Sequence, residues 1–238
     1  MAKLKPNIQV VRENGLCYIV ESGTRLRRFK PWLGDSFSFL YDFIMKSSVF
    51  PKKFGGDIQK HYEVLGQELA GTHGRQVLEL ATGSGSAIHF LDSDNKYTGT
   101  DISPGLLKQA AKRFRKAGFP VPEFYVVSAD DLPFGNGTFD LCLCILSLNF
   151  FGNAETVFQE VSRVLVPEGA LVCSVPVPEK NRLQSRIRGS LYSEAELEKT
   201  CQKYGFKYER IPCENGALLY FKAIKQDSVR AGRPEGAQ

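Results

Sequence analysis

The stretch from residue 76 to residue 86 constrains the fold most. Residues 77–80 form an apolar run typical of a buried strand. Gly83 and Gly85 then form a glycine-rich turn, and a helix is predicted from residue 86, with Ser86 as its cap. A strand, a tight turn and a helix start in this order predict a ligand site at the carboxyl edge of a parallel sheet.

The residues of this turn disfavour two common nucleotide ligands. The dinucleotide fingerprint needs a third glycine three positions after Gly85, where Ile88 stands, and the lysine of the P-loop is missing. Glu79, just before the turn, would repel a pyrophosphate but suits an ammonium group. Asp101 ends a second short strand at the spacing of a ribose-binding acid. An amine, a carboxylate and a ribose together indicate S-adenosylmethionine.

Five motifs extend this interpretation along the chain. They occupy residues 77–86, 99–103, 128–134, 138–141 and 160–169. In this order they resemble the class I S-adenosylmethionine-dependent methyltransferases, in particular the branch that includes the ubiquinone/menaquinone C-methyltransferases. The resemblance runs from Arg75 to about Phe221. It implies an α/β fold with a Rossmann-like, seven-stranded, mostly parallel sheet flanked by helices, its last strand antiparallel, and S-adenosylmethionine as the cofactor.

The resemblance also assigns cofactor-binding roles. Glu79 is expected to hold the methionine amine, Asp101 to accept two hydrogen bonds from the ribose hydroxyls, and Ile102 to pack against the adenine. The glycine turn approaches the methionine part, and the end of the fourth core strand lies beside the transferring methyl group. The full predicted set is Glu79, Ala81, Gly83, Ser84, Gly85, Asp101, Ile102, Ser128, Ala129, Ile145 and Ser147.

Two of these positions depart from the family pattern. Ala81 stands where the relatives have a further glycine, and its small side chain still permits close approach. Ser128 stands where many relatives carry Asp. Recognition of the adenine amine therefore falls to Ser128, to Asp130 or to the backbone.

No catalytic base is assigned. Methyl transfer from a sulfonium is an in-line displacement, so the protein mainly supplies alignment and desolvation. A core or surface role is favoured over catalysis for the three histidines, His61, His73 and His89. Asn149 and Phe150 have two possible roles. They either line the acceptor pocket, or they cap a helix and pack in the core.

The chain divides into three segments. Residues 1–56 are predicted to be an N-terminal extension, 57–224 the S-adenosylmethionine-binding domain and 225–238 a flexible tail. Asn14-Gly15 between two apolar runs predicts a hairpin in the extension. Residues 29–54 are rich in aromatic side chains. They form either a mobile cover over the site or a packed extension of the core.

The core alternates strands and helices. Strands are predicted at residues 76–80, 96–100, 123–128, 139–146, 170–175, 206–211 and 217–223. Helices are predicted at residues 57–69, 86–92, 104–117, 154–165 and 193–204.

The composition of the chain indicates which cellular compartment and which binding partners to expect. The six cysteines form no C-x-x-C pair, so no metal site is predicted, and those inside apolar strands are expected to be buried thiols typical of a reducing compartment. With no apolar run long enough to span a membrane, the chain is expected to be cytoplasmic. Residues 1–60 carry eleven Lys and Arg against five Asp and Glu, which favours a solvated basic face over a nucleic-acid partner.

The predicted function is methyl transfer to a small, possibly aromatic or quinone-like acceptor. Two alternatives stay open at this point. The chain could methylate a protein or RNA through its basic N-terminal region, or it could be a non-catalytic module that binds S-adenosylmethionine.

Overall fold

The computed structural model describes residues 2–22, 25–29 and 44–227. Most of the aromatic-rich segment and nearly all of the predicted tail therefore lie outside the described residues. The strands are β1 Val10–Glu13, β2 Leu16–Ser22, β3 Arg25–Leu26, β4 Gln76–Leu80, β5 Lys96–Asp101, β6 Glu123–Val126, β7 Phe139–Ile145, β8 Leu165–Pro176, β9 Phe206–Arg210 and β10 Leu218–Lys225. The helices are a π-helix at Met45–Phe54, then α1 Ile58–Leu69, α2 Pro104–Lys116, α3 Ala154–Val164 and α4 Glu194–Lys203.

The ten strands of the described residues belong to one mixed sheet. Nine lie side by side in the order β1-β2-β6-β5-β4-β7-β8-β10-β9, and β3 pairs with β2. The run from β6 to β9 contains the seven predicted core strands, and the N-terminal strands extend it. Within that run β10 is antiparallel to both β8 and β9, so the antiparallel strand lies inside the sheet rather than at its edge.

The predicted N-terminal hairpin is present. Asn14 and Gly15 join β1 to β2, with φ of 52° and 80°, the left-handed values that a two-residue hairpin turn needs. Tyr18 of β2 also pairs in parallel with Val126 of β6. The extension is therefore continuous with the main sheet. The proposed division at residue 56 stays a prediction.

The segment after β4 differs from its prediction. Residues 86–89 form a short 3₁₀ turn, Ser86–His89, instead of an α-helix through residue 92, and the residue at its N-cap is Gly85 rather than Ser86. The cause lies in the following sequence, Asp-Ser-Asp-Asn at 92–95, which favours a turn and leaves too few residues for a stable helix.

The other helices begin and end close to the predicted residues. Pro104 opens α2, and the Ser103 side chain accepts a hydrogen bond from the Leu106 amide. Ser193 and Glu196 form the predicted capping box of α4. Strand β8 is longer than predicted because the chain continues through an irregularity at Glu168, whose φ is 61°.

Apolar side chains form two buried clusters. One contains Phe134, Phe158 and Phe221, and the other contains Phe50 and Phe114. Phe50 of the π-helix is fully buried there, so the described end of the aromatic segment is packed as part of the core. Over the described ranges, no helix is long and apolar enough to cross a bilayer.

A polar network fastens the start of α1 to β10. The Asn215 side chain accepts a hydrogen bond from the Asp57 amide at 2.7 Å and donates to the Asp57 carbonyl at 2.9 Å. It also donates to the Tyr220 hydroxyl at 3.0 Å, and this hydroxyl lies 2.9 Å from Nδ1 of His61. Asn215 and His61 are both almost fully buried. One amide thus holds the helix that precedes the site against the sheet.

We expect Asn215→Ala to lower the free energy of unfolding by about 1–3 kcal/mol, because it leaves the buried polar groups of Asp57 and Tyr220 without partners. Tyr220→Phe removes a single hydroxyl and should cost less. Urea denaturation of both variants measures the difference. Equal stability of Asn215→Ala and the wild type would contradict the role given to this network.

Candidate functional site

The site lies where the strand order reverses. From β4 the chain moves to β5 and β6 on one side, and then to β7 and β8 on the other. Loops that leave β4 and β7 in opposite directions open a crevice at the carboxyl ends of these strands. The predicted cofactor residues follow β4, β5, β6 and β7, and the topology brings these four ends to the same edge.

Glu79 occupies the end of β4 and is 2% exposed. The Tyr97 hydroxyl donates a hydrogen bond to its carboxylate, and the Thr82 hydroxyl lies 3.2 Å from the same tyrosine oxygen. Glu79 pairs in register with Gly99, where a Cβ would lie 2.7 Å from the Thr82 hydroxyl. The glycine therefore makes room for the polar group around Glu79.

Burial raises the pKa of Glu79 to about 8, although hydrogen bonds from Tyr97 and Thr82 favour the ionised form. At neutral pH the carboxyl group is therefore mostly protonated in the absence of a ligand. A cation brought next to it would favour the carboxylate again. This chemistry suits the ammonium group predicted for the position.

Asp101, at the end of β5, joins two loops through its carboxylate. One oxygen accepts a hydrogen bond from the Gly83 amide at 2.9 Å, and the other accepts one from the Ser103 amide at 2.8 Å. Each carboxylate oxygen can accept a second bond. The group can thus fix the turn after β4 and also receive a pair of hydroxyls.

The turn after β4 has a left-handed backbone at three positions. The φ values are 47° at Ala81, 57° at Gly83 and 87° at Gly85. Ala81 adopts the conformation that its family counterpart glycine would adopt, at a cost that glycine avoids. A Cβ at Gly85 would lie 2.9 Å from Cα of Ala110, so that glycine also makes room for α2.

The residues predicted to contact adenine lie beside Asp101. Ile102 is 43% exposed at the edge of the sheet. Its side chain is therefore accessible to a flat ring such as the predicted adenine. The Val127 amide donates to the Asp101 carbonyl at 3.2 Å, which joins the loop after β6 to the loop after β5. Ser128 follows half-buried, and Ala129 is buried.

The end of β7 supplies the last predicted residues. Ile145 and Ser147 are buried, and between them Leu146 has a φ of 55°, an uncommon value for a branched side chain. Its amide donates to the Ser174 carbonyl of β8 at 2.8 Å. The chain then forms a short 3₁₀ turn at Leu148–Phe150. A constrained backbone of this kind is frequent at functional sites.

The histidines take the structural roles that were favoured. His61 is buried, and its burial lowers its pKa to about 3, so it is neutral. The His89 ring stacks on Tyr62 with the ring centroids 4.7 Å apart. His73 is an exposed loop residue near Asp94. The described residues hold no group of His, Cys, Asp and Glu side chains fit to bind a metal ion.

Sequence reasoning missed Tyr97 and Thr82, the two hydroxyls that surround Glu79. A signal existed for Tyr97, since alternation along β5 places it on the same face as Gly99 and Asp101. For Thr82 none existed, because its side chain reaches Glu79 only through the bend of the turn.

A mixed sheet with a parallel core, a glycine turn after its first core strand and acids at the ends of two neighbouring strands is the arrangement expected of a Rossmann-like methyltransferase. Residues 78–173 match the model of the family described as a methyltransferase domain, so this part of the chain is a methyltransferase domain. The predicted class is thereby confirmed, and with it S-adenosylmethionine as the cofactor.

The chain is similar in sequence to several relatives over part of its length. The chain is 37% identical over 110 residues to the ubiquinone/menaquinone biosynthesis C-methyltransferase UbiE of Desulfotalea psychrophila, and the match covers 44% of each chain. The chain thus spans less than half the length of this relative.

Solved structures are similar in fold. An S-adenosylmethionine-dependent methyltransferase of Thermotoga maritima, described as a possible histamine N-methyltransferase, has a TM-score of 0.58 at 19% identity, covering 81% of this chain and 98% of its own. The [4+2]-cyclase SpnF has a TM-score of 0.59 at 17% identity, covering 70% and 80%. These likenesses confirm the predicted architecture.

The raised pKa of Glu79 predicts a specific pH dependence. The folded-state value of about 8 lies above the ordinary 4.5, so the proton on Glu79 contributes stability below pH 4.5 that is lost as the pH rises towards 8. We expect the stability of the wild type relative to Glu79→Gln to fall across this range, by at most about 1.4 kcal/mol per pH unit. Urea denaturation from pH 5 to pH 8 measures it. A difference that stays constant with pH would show that Glu79 titrates normally.

Proposed function

We propose that the chain transfers a methyl group from S-adenosylmethionine to a small aromatic or quinone-like acceptor. The observation that carries the proposal is the placement of Glu79 and Asp101 at neighbouring strand ends, with the Gly83 amide of the turn after β4 bonded to Asp101. An ammonium group suits the first carboxyl and a pair of ribose hydroxyls suits the second. The match of residues 78–173 to a methyltransferase domain supports this assignment.

The bound cofactor supplies an activated methyl group on a sulfonium. The residues of the chain bind and align it. Glu79 would hold the ammonium as a carboxylate, so pairing with this cation would favour loss of the proton that burial retains on Glu79. Asp101 bonds the amides of Gly83 and Ser103, and it would hold the ribose hydroxyls while these bonds fix the turn that faces the methionine part.

The residues around the end of β7 support this choice of acceptor. Ile145 and Leu148 are buried there, and the Phe150 ring is 61% exposed next to them. Apolar and aromatic surroundings suit a ring better than a peptide lysine or an unmodified nucleobase. The name of the Desulfotalea relative, which refers to ubiquinone and menaquinone biosynthesis, supports a quinone-like ring.

Proton removal places a further demand on the acceptor. His61 is buried, neutral and bonded to Tyr220, so it does not serve as a base for the site. A phenol or quinol that ionises readily does not need a strong protein base. An acceptor of this kind fits the proposed site, because its carboxylates, Glu79 and Asp101, are both assigned to the cofactor.

Methylation of a macromolecule is the second candidate. It would use the basic N-terminal region, but several of those charges are paired within the protein. Arg27 lies 2.6 Å from Asp131 and 3.0 Å from Glu21, and Arg28 lies 3.0 Å from Glu13. Such pairs reduce the positive field available to RNA, so we rank this function second.

Cofactor binding tests the first step. Asp101→Ala should weaken binding of S-adenosylmethionine by about 1–3 kcal/mol, the cost of removing hydrogen bonds to a charged group. Asp94→Ala changes an exposed acid just before the same strand and should bind normally. Calorimetry compares the variants, after circular dichroism has shown that each is folded. Unchanged affinity in folded Asp101→Ala would remove Asp101 from the site.

Acceptor choice tests the second step. Radiolabelled methyl transfer to a panel of phenols, quinols and thiols should exceed transfer to bulk RNA and protein, because the lining of the site is apolar and aromatic. The Asp101→Ala variant serves as the low-activity control. Labelling of the macromolecules with the small molecules inert would reverse the order of the two candidates.

A further inference from the structure

Two segments of the chain carry positive charge with no negative charge to offset it. The π-helix with its flanking residues, 44–56, and the loop 181–192 contain six Lys and Arg and no Asp or Glu. All six of these basic residues are exposed to solvent. They are called the basic patch below, and they are Lys46, Lys52, Lys53, Arg182, Arg186 and Arg188.

The two segments of the basic patch lie against each other. The Ser185 hydroxyl donates a hydrogen bond to the Lys52 carbonyl at 3.2 Å. Nζ of Lys53 donates to the Arg186 carbonyl at 3.4 Å. The six charges are far apart in the sequence, but these contacts bring them to one surface of the protein.

The carboxylates next to the patch are engaged elsewhere. Glu214 pairs with Lys180 at 3.3 Å and with Arg210 at 3.5 Å, and it attracts Arg182 only at longer range. Glu179 accepts a hydrogen bond from the first amide of α4 at 3.0 Å. Within the ranges that the structure describes, none of the six cations lies within ion-pair distance of a carboxylate. Their positive field is therefore available to a partner outside the chain.

Exposed apolar side chains border these cations. Leu183 is 56% exposed, and a Cβ at Gly55 would lie 2.9 Å from its Cδ1, which places it at the end of the π-helix. Ile44, at the start of that helix, is 44% exposed. Phe150 is 61% exposed and lies in the turn that bonds the Arg188 carbonyl. Three of the six large apolar side chains that the described residues expose thus lie beside the basic patch.

We infer that the basic patch and its apolar border bind the surface of an anionic phospholipid membrane. The cations attract the headgroups, and the apolar side chains enter the boundary between headgroups and acyl chains. The inference goes beyond the proposed function and does not depend on it, since it concerns a surface and not the reaction.

Two features favour lipid over the other polyanions. Ile44 and Leu183 are aliphatic, so they cannot stack on bases as the aromatic side chains of single-strand binding proteins do. Half of the cations are lysines, which protein interfaces disfavour. The loop also bonds the turn after β7, so a membrane bound there would lie beside the edge of the sheet that carries the proposed site.

The test is co-sedimentation of the full chain with phospholipid vesicles, without cofactor or acceptor. One set of vesicles is phosphatidylcholine alone, and the other contains about one third phosphatidylglycerol, which is anionic. We expect the wild type to bind the anionic vesicles in preference, and added salt should weaken this binding. Each positive charge near an anionic bilayer is worth about a fivefold gain in affinity, so the double variant Arg182→Gln/Arg186→Gln should bind about 25-fold more weakly.

Helix α2 supplies a matched control. Lys112 and Lys116 are exposed on it, whereas its large apolar side chains are buried. Lys112→Gln/Lys116→Gln removes as much charge as the arginine pair from another surface, and it should bind the anionic vesicles within about twofold of the wild type. Leu183→Ser removes exposed apolar surface without a change of charge and should weaken binding by about threefold to tenfold.

Several results would overturn the inference. One is a wild type that binds the anionic vesicles no better than the neutral ones. Another is an equal loss in the α2 variant and the arginine variant, which would assign the binding to overall charge. Vesicle binding unchanged in Leu183→Ser, or tighter binding of a single-stranded RNA that the arginine variant loses, would assign the patch to a different polyanion.

The proposed function is measured separately. Calorimetry of S-adenosylmethionine binding, without vesicles, should give the wild-type affinity for the arginine variant, since its substitutions lie on the surface of the loop. Circular dichroism shows that each variant is folded. Vesicle binding by a wild type that does not bind S-adenosylmethionine would contradict the proposed function and leave the membrane surface supported.

Discussion

The carboxylate of Asp101 is the interaction on which the rest of the site depends. It holds the amides of Gly83 and Ser103, which belong to the loops after β4 and β5, while the Asp101 carbonyl receives the Val127 amide of the loop after β6. Three strand ends are thereby joined through one residue. Left-handed backbone at Ala81 and Gly83 can persist because these bonds hold the turn in place.

Sequence reasoning located this centre because its elements are local. A buried strand, a glycine turn and an acid at a fixed distance require no knowledge of distant contacts, and Gly83 and Asp101 indeed meet. Helix α4 was bounded to within a residue at each end by its capping box at Ser193, another local signal. The resemblance to a methyltransferase family supplied the mostly parallel, Rossmann-like architecture, which hydrophobic periodicity alone does not determine.

What the sequence could not predict depends on contacts between distant segments. The pairing of β2 with β6 joins residues more than a hundred positions apart, and no sequence pattern in either strand predicts this pairing. The contact of Asn149 with Arg188 is of the same kind. The helix expected at residues 86–92 failed for a different reason, because the turn-forming residues that follow it outweigh its helical pattern.

The fold alone leaves the reaction open, since the same architecture serves a [4+2]-cyclase. Within such a fold, buried polar groups indicate which ligands bind, because burying a polar group is costly unless it has a partner. Glu79 and Asn149 are both almost fully buried, one as a carboxyl group with a raised pKa and the other with an amide oxygen that lacks a partner. A cation beside Glu79 would favour its carboxylate and so offset part of the cost of burying this group. Glu79 lies near the end of β4 and Asn149 follows the adjacent strand β7, so both residues belong to the edge of the sheet where a methyl donor and its acceptor would have to meet.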